Sequence, residues 1–597
     1  MERVWNTMAN FIKGHWRQAL PWRERLKISE EAVHLLLAGV VGVIGGFVNL
    51  GFHLASQAME TLLFRHPDEL GSVAAFLPWW ERLMAPCAGG LLAGLILYWG
   101  LRMLAHTGPT NLLEVVVAGD GRLPFRTGIV KSISSLASIC SGGSIGREGL
   151  IVQLSATFAS KWGQLARWQP YRLRLLVGCG AASGIAAAYN APVAGAVFAA
   201  QIVMGSFSMH LFAPLVFSAV VASMVSRSFF GIEPWYQAPD FIFTSLRQLP
   251  WFVLLGILSG FVGAGFLTLL RAGAALFRKL PAPLYLRLAL GGLITGAIAI
   301  LYPEVWGNGY EATNRVLHSS LPLTFLVGLL FAKILATLAT VGSGAVGGVF
   351  TPTLFIGATL GCVFGTLLHA AGLALNLPTG VFALVGMGSV LAATVHSPLL
   401  AMIMVFELSM NYTFMPPLMV ACVIASLIAR NIHPASIYTE PLRLKGLEVA
   451  AEGAEPATAL EKTVGDLMRE PVPPVRVNSP FSEITDRFLT GSNNYLPVVN
   501  AQGRLVGIVA LHDLKAHLSE GENLALVIAY DLMRPPPAAL TPTQRLIDIL
   551  PVVLASDLHN IPVVSSTIEG RLVGALIRAE VLGVLSEALA ANHTQSN

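Results

Sequence analysis

Residues 141–149 read Ser-Gly-Gly-Ser-Ile-Gly-Arg-Glu-Gly, and residues 342–352 read Gly-Ser-Gly-Ala-Val-Gly-Gly-Val-Phe-Thr-Pro. Both stretches follow a similar lead. Lys131 through Glu148 is KSISSLASICSGGSIGRE, and Lys333 through Phe350 is KILATLATVGSGAVGGVF. Lys131, Leu136, Ala137, Ser141, Gly142 and Gly146 match Lys333, Leu338, Ala339, Ser343, Gly344 and Gly348 at one fixed offset. A second pair supports the duplication: Ala186–Gly195 (AAAYNAPVAG) against Ala392–Ala401 (AATVHSPLLA). Two halves with weak internal similarity are how many membrane transporters are built. Their substrate sites lie where broken helices of the two halves meet.

The surrounding composition places these motifs in lipid. The chain has 597 residues, of which 54% are hydrophobic and only 12% charged, too little charge to cover a soluble protein of this size. Apolar runs dominate from about Ala32 to about Ala429, for example Trp251–Leu270 and Leu323–Val341. A spanning helix needs about 20 apolar residues, and several runs reach that length while others fall short. The first segment carries Arg3, Lys13, Arg17, Arg23, Arg25 and Lys27, which predicts a cytoplasmic N-terminus. It lacks the apolar core and small-residue cleavage site of a signal peptide. The five cysteines, Cys87, Cys140, Cys179, Cys362 and Cys422, form no CxxC pair and read as buried hydrophobes rather than metal ligands or disulfides.

Glycine lets a backbone turn sharply and approach a ligand closely. A helix starting behind a glycine loop has first-turn N–H groups without partners in the helix. Those groups and the helix dipole attract an anion through partial charges, which hold it weakly enough for it to leave. The competing explanation is that the glycines serve helix packing. Arg147 and Glu148 weigh against packing alone, because a charged pair at membrane depth is costly and marks a pathway or a buried ion pair.

Beyond Tyr438 the character changes. A polar, aperiodic stretch follows, then a soluble-looking region with its own repeat. Asp466-Leu-Met468 returns as Asp531-Leu-Met533, Leu496-Pro-Val-Val499 as Ile561-Pro-Val-Val564, and Gly503-Arg-Leu-Val-Gly507 as Gly570-Arg-Leu-Val-Gly574. Repeated order at near-constant spacing signals a duplicated unit, and β-rich runs around a Gly-bearing turn signal hairpins in each.

On these motifs the chain resembles the CLC family of chloride channels and chloride/proton antiporters. Gly146-Arg147-Glu148-Gly149 resembles that family's second signature, Gly348-Val349-Phe350-Thr351-Pro352 its third, and Asn190-Ala191-Pro192 fits as well. The C-terminal repeat resembles a tandem pair of CBS modules. The resemblance implies an all-α polytopic membrane domain with inverted repeats and a C-terminal α/β tandem CBS domain. The expected boundaries are an N-terminal segment at 1–31, the membrane domain at 32–440 with halves at about 32–230 and 250–440, a linker at 441–462, and CBS modules at about 463–520 and 528–590 within 463–590.

The resemblance further implies that Glu148 is a gating glutamate whose carboxylate competes with chloride. Amides near Gly146, Arg147 and Gly149 would line an outer anion site, and those of Val349 and Phe350 a central one. Tyr438 would be the inner-gate tyrosine; an interfacial-belt tyrosine is the alternative. Thr107 would offer its hydroxyl where the family usually has a serine, although His106-Thr-Gly-Pro-Thr110 departs from the usual Gly-Ser-Gly-Ile-Pro, and an ordinary helix cap is the alternative. The antiporters carry a proton-accepting glutamate where this chain has Gln201 and Ile202. That apolar residue favours passive flow over coupled exchange, while water or Glu407 leaves a proton route open. Asp513 and Glu580 stand at the ribose-contact positions of nucleotide-binding CBS modules, but Ala510 and Ile577 replace their usual hydroxyl-bearing partners, so adenine nucleotide sensing and a structural role both stay open. No cofactor is required. The expected partners are chloride or a similar anion, the bilayer, and a second copy of the chain in a homodimer, with no nucleic acid. The expected address is a bacterial inner membrane with both termini in the cytoplasm.

Two readings from other classes are weaker. An intramembrane serine hydrolase at Ser144 would need a base such as His396. A CBS-bearing metal-ion transporter would need oxygen ligands facing the path, and the membrane region is poor in them.

Overall fold

The computed structural model describes residues 30–581, except 66–69, 105–110, 118–119, 167, 169, 206, 208, 233–235, 237–245, 319–320, 375, 444–462, 491–494, 512–513, 515–526, 537–539, 557, 559, 567 and 579–580. The chain divides into two compact units, Met1–Val449 and Ala450–Asn597. The expectations for Thr107, Asp513 and Glu580 lie outside the described residues.

The first unit is helical, and eight of its described helices are long and apolar enough to cross a membrane. The order of elements repeats. Glu30–Phe64, Trp79–Leu104, Phe125–Cys140, Glu148–Leu165, Pro170–Tyr189, Pro192–Phe198 and Met209–Phe230 make the first half. Leu249–Lys279, Leu284–Leu301, Leu323–Gly342, Phe350–Ala370, Thr379–Val395, Pro398–Ser409 and Met415–Ile432 make the second in the same sequence. The backbone irregularities repeat too. Gly142 (φ 102°) and Gly344 (φ 105°) end the helices that precede the two glycine motifs. Asn190 (φ 57°) and His396 (φ 60°) adopt the left-handed conformation before Pro192 and Pro398. Proline fixes its own φ and restricts the residue before it, so each break is written locally in Asn-Ala-Pro and His-Ser-Pro.

Small residues let these helices approach closely. A Cβ on Gly357 would lie 2.3 Å from the Gly386 carbonyl, and one on Gly386 2.2 Å from that of Gly357. The helices 350–370 and 379–395 therefore lock together in the middle of the unit, where nearly every side chain is buried.

One departure was not foreseen. The helix Pro192–Phe198 continues as a π-helical turn, Ala199–Met204, ended by Gly205 at φ 64°. This wider turn carries Gln201 and Ile202. Such turns recur at functional sites.

The second unit contains two similar halves. Strands β1 (Val475–Arg476), β2 (Tyr495–Val499) and β3 (Leu505–Ala510) form one sheet, with β1 parallel and β3 antiparallel to β2. Strands β4 (Asn560–Val564) and β5 (Leu572–Ile577) pair antiparallel. The same irregularity falls at Val498/Val499 and Val563/Val564. The halves exchange leading segments: Arg469 pairs with Ala575 of β5, and Arg534 with Ile508 of β3.

Candidate anion-binding site

The two glycine motifs meet. Gly146 N–H donates to Gly348 O at 2.7 Å, and Gly348 N–H donates to Gly146 O at 2.8 Å. This reciprocal pair fixes the starts of helices Glu148–Leu165 and Phe350–Ala370 side by side. Glycine is needed here because a Cβ on Gly348 would stand 3.0 Å from Gly149 N, and one on Gly149 3.1 Å from Gly348 Cα. Neither helix has a side-chain cap, so both present bare first-turn N–H groups, electropositive ends facing one region.

Among the expected lining amides, Gly146 N–H is bound to Gly348, and Arg147 N–H donates to Asn308 Oδ1 at 3.3 Å. The amides of Gly149, Val349 and Phe350 make no hydrogen bond to the described residues. They are the backbone donors of this region without a partner among the described residues.

Glu148 is the first residue of its helix and is fully buried. Its Oε1 accepts from the Tyr310 hydroxyl at 2.8 Å, while Oε2 has no hydrogen-bond partner among the described residues. A carboxylate at a helix start occupies the kind of place an anion would take. A cavity of about 370 Å³ is lined by Glu148, Lys131, Gly149, Val349, Phe350, Ile202 and Tyr438 among others. The Tyr438 ring stands edge-on to Phe198 with centroids 5.5 Å apart. Thus Glu148, Gly149, Val349, Phe350, Ile202 and Tyr438 share one cavity, although they come from four separate parts of the chain. Gln201 is turned to another task, accepting from the Ser397 hydroxyl.

Sequence reasoning passed over several residues of this region. Tyr310 touches the carboxylate. Tyr189 lies fully buried, its hydroxyl 2.8 Å from that of Thr351. Lys333 is fully buried, its Nζ donating to Val305 O at 3.0 Å and Gly307 O at 3.1 Å. The sequence offered one signal: Lys131 and Lys333 match in the repeat, and a lysine at membrane depth is unusual. Ser144 is paired with the Thr337 hydroxyl at 3.3 Å, an arrangement between two hydroxyls that supplies no base.

Comparison with known proteins shows the family. A family model described as voltage gated chloride channel matches residues 89–430, and one described as CBS domain matches 464–520 and 529–587. A putative chloride channel protein ClcB-like from Ralstonia nicotianae is 43% identical over 413 residues, covering 68% of this chain and 96% of the relative. A voltage-gated ClC-type chloride channel ClcB from Escherichia coli O81 is 37% identical over 416 residues, covering 68% and 98%. The solved structure of a slow cyanobacterial Cl-/H+ antiporter is similar with a TM-score of 0.61 and 28% identity, covering 70% of this chain and 98% of that one. Paired half-helix starts, the duplicated helix order and these matches lead to one conclusion: the chain is a multi-pass membrane protein of the voltage-gated chloride channel (CLC) family, with a C-terminal pair of CBS domains.

Proposed function

We propose that the chain passes chloride across the membrane through the cavity between Glu148 and Tyr438, and that the Glu148 carboxylate gates it. The observation that carries this reading is the reciprocal Gly146–Gly348 bonding, which brings two uncapped helix starts together around a buried carboxylate. The N–H groups of Gly149, Val349 and Phe350 supply partial positive charge for the anion, and Tyr438 closes the far end. Protonation of Glu148, or competition by chloride, vacates the seat.

Flow is passive in this reading. Ile202, at the place where the family's antiporters carry a proton-accepting glutamate, lines the cavity with an apolar side chain, and Gln201 beside it is engaged with Ser397. Coupled chloride/proton exchange is the second reading, favoured by the likeness to a Cl-/H+ antiporter. Reconstituted liposomes with parallel chloride and proton readouts separate the two. Passive flow predicts chloride movement without uphill proton transport; a fixed chloride-to-proton ratio overturns it. Glu148→Gln tests the gate and is expected to retain chloride flux while losing its pH dependence.

The same proposal includes a homodimer with one pore per subunit, as in the family, cytoplasmic termini in a bacterial inner membrane, and no enzymatic activity. The CBS pair would bias the gate by binding an adenine nucleotide in one state more tightly than in the other. Titration of flux with AMP and ATP checks that role.

A further inference from the structure

Tyr310 begins the helix Tyr310–His318, directly after the loop Trp306-Gly-Asn-Gly309. Its hydroxyl reaches Glu148 Oε1 at 2.8 Å from a site that is only 4% exposed. The loop that carries it is anchored on three sides. Lys333 Nζ holds the carbonyls of Val305 and Gly307. Asn308 Oδ1 accepts from the Arg147 amide, one residue before the gate. Gly309 (φ 78°) packs so tightly that a Cβ would stand 2.7 Å from the Phe355 ring. The hydroxyl is therefore delivered to the carboxylate by a loop with little freedom to withdraw it.

Other charged and titratable groups lie around this contact. The Arg147 guanidinium lies 5.7 Å from the Tyr310 ring centroid and bonds His53. The Tyr236 ring is 5.5 Å from that of Tyr310. Tyr189 pairs with Thr351. Lys131 and Tyr438 line the same cavity as Glu148. Among the described residues, Tyr310 is the one whose side chain hydrogen-bonds to the Glu148 carboxylate.

We propose that Tyr310 is the latch of the gate: its hydroxyl holds the Glu148 carboxylate in the anion seat and sets how readily chloride or a proton releases it. The proposal rests on the gating role of Glu148. A hydrogen bond to an ionised acceptor is roughly twice as strong as one between neutral groups, and burial strengthens it further. The latch therefore grips the charged glutamate and loosens once the carboxyl is protonated. Tyr310 acts through Glu148 and is a positioning residue.

The test is chloride flux against pH in liposomes for the wild type, Tyr310→Phe, Glu148→Gln and the double variant. Phenylalanine keeps the ring and its packing on Tyr236, so the fold is retained. Tyr310→Phe is expected to raise flux at neutral pH about tenfold, the effect of losing one hydrogen bond to a charged group, and to move half-maximal flux to higher pH by about one unit. In the Glu148→Gln background the same substitution changes flux less than about twofold, since the charged acceptor is gone. Wild-type flux and pH profile in Tyr310→Phe overturn the latch. So does an equal fall in flux in both backgrounds, which marks a structural role. If Glu148→Gln itself keeps the wild-type pH profile, the gating reading falls, and the latch with it; a silent Tyr310→Phe beside a pH-independent Glu148→Gln removes the latch alone.

Discussion

Gln201 and Glu407 hold corresponding places in the two halves, and each braces the helix start of the opposite half. Glu407 Oε1 accepts from Val193 N–H at 3.0 Å and Oε2 from Ala194 N–H at 2.7 Å, at the start of Pro192–Phe198. Gln201 Oε1 accepts from Ser397 Oγ, the residue that itself caps Pro398–Ser409 by accepting from Leu400 N–H at 3.2 Å. The duplication therefore reaches side-chain bonding, with a carboxylate on one side and an amide on the other. A carboxylate suits two bare backbone donors, whereas a neutral amide suffices where a serine already caps the helix.

Glu407→Ala is expected to lower stability by about 1–3 kcal/mol, because the Val193 and Ala194 backbone donors, only the latter on a buried residue, lose a carboxylate acceptor. Glu407→Gln, which keeps one acceptor oxygen, loses less. Thermal melting in detergent, followed by size-exclusion chromatography, measures both. Melting within error of the wild type for Glu407→Ala would contradict the bracing role.

Gly146→Ala tests the seat of the gate. A Cβ there would lie 2.2 Å from Glu148 Oε2, the far end of a side chain that can swing aside. The variant is expected to fold, with a stability loss of about 1–3 kcal/mol, and to show raised chloride flux at neutral pH with weaker pH dependence. Gly348→Ala meets backbone instead, at Gly149 N and Gly146 O, and is expected to melt earlier and conduct poorly. Liposome flux and melting curves of the two variants side by side check the contrast.

Lys333→Met is predicted to act through the loop below Tyr310. The substitution keeps the apolar stem and leaves the Val305 and Gly307 carbonyls without their donor, a loss of about 2–4 kcal/mol. A loosened loop delivers the Tyr310 hydroxyl less firmly, so the flux profile should shift in the direction of Tyr310→Phe. Combining the two substitutions tells whether they share one path: the flux effects should then fall short of additive.

Tyr495 in strand β2 predicts an alkaline sensitivity of the C-terminal unit. Its ring is 2% exposed and its hydroxyl has no hydrogen-bond partner among the described residues. Burial pushes the hydroxyl above its ordinary value of 10.0. Above about pH 10 the unfolded chain ionises this tyrosine while the folded unit keeps it neutral. Stability from this group is therefore complete below that pH and is lost as pH rises further. Tyr495→Phe should leave stability unchanged or raise it by about 1 kcal/mol at neutral pH and should soften the alkaline loss. Unfolding of the full chain followed by circular dichroism between pH 8 and pH 11 reads this out.

The membrane class, the duplication and the glycine motifs that the fold brings together were legible in one dimension. Apolar runs, glycine loops ahead of helices and Asn-Ala-Pro or His-Ser-Pro breaks are contiguous patterns, and each expresses a local constraint: the length needed to cross lipid, the backbone freedom of glycine, the fixed φ of proline. Glu148 stood out because an acid at membrane depth needs a reason. Packing decided the rest. Nothing local says that Gly146 and Gly348 exchange backbone bonds, that the Gly146 and Arg147 amides are consumed by protein partners, or that Tyr310, 162 residues beyond Glu148, closes on its carboxylate. The role of the loop 306–309 was not legible, since contact between distant side chains depends on how both halves pack around Lys333 and Phe355, which no local pattern records.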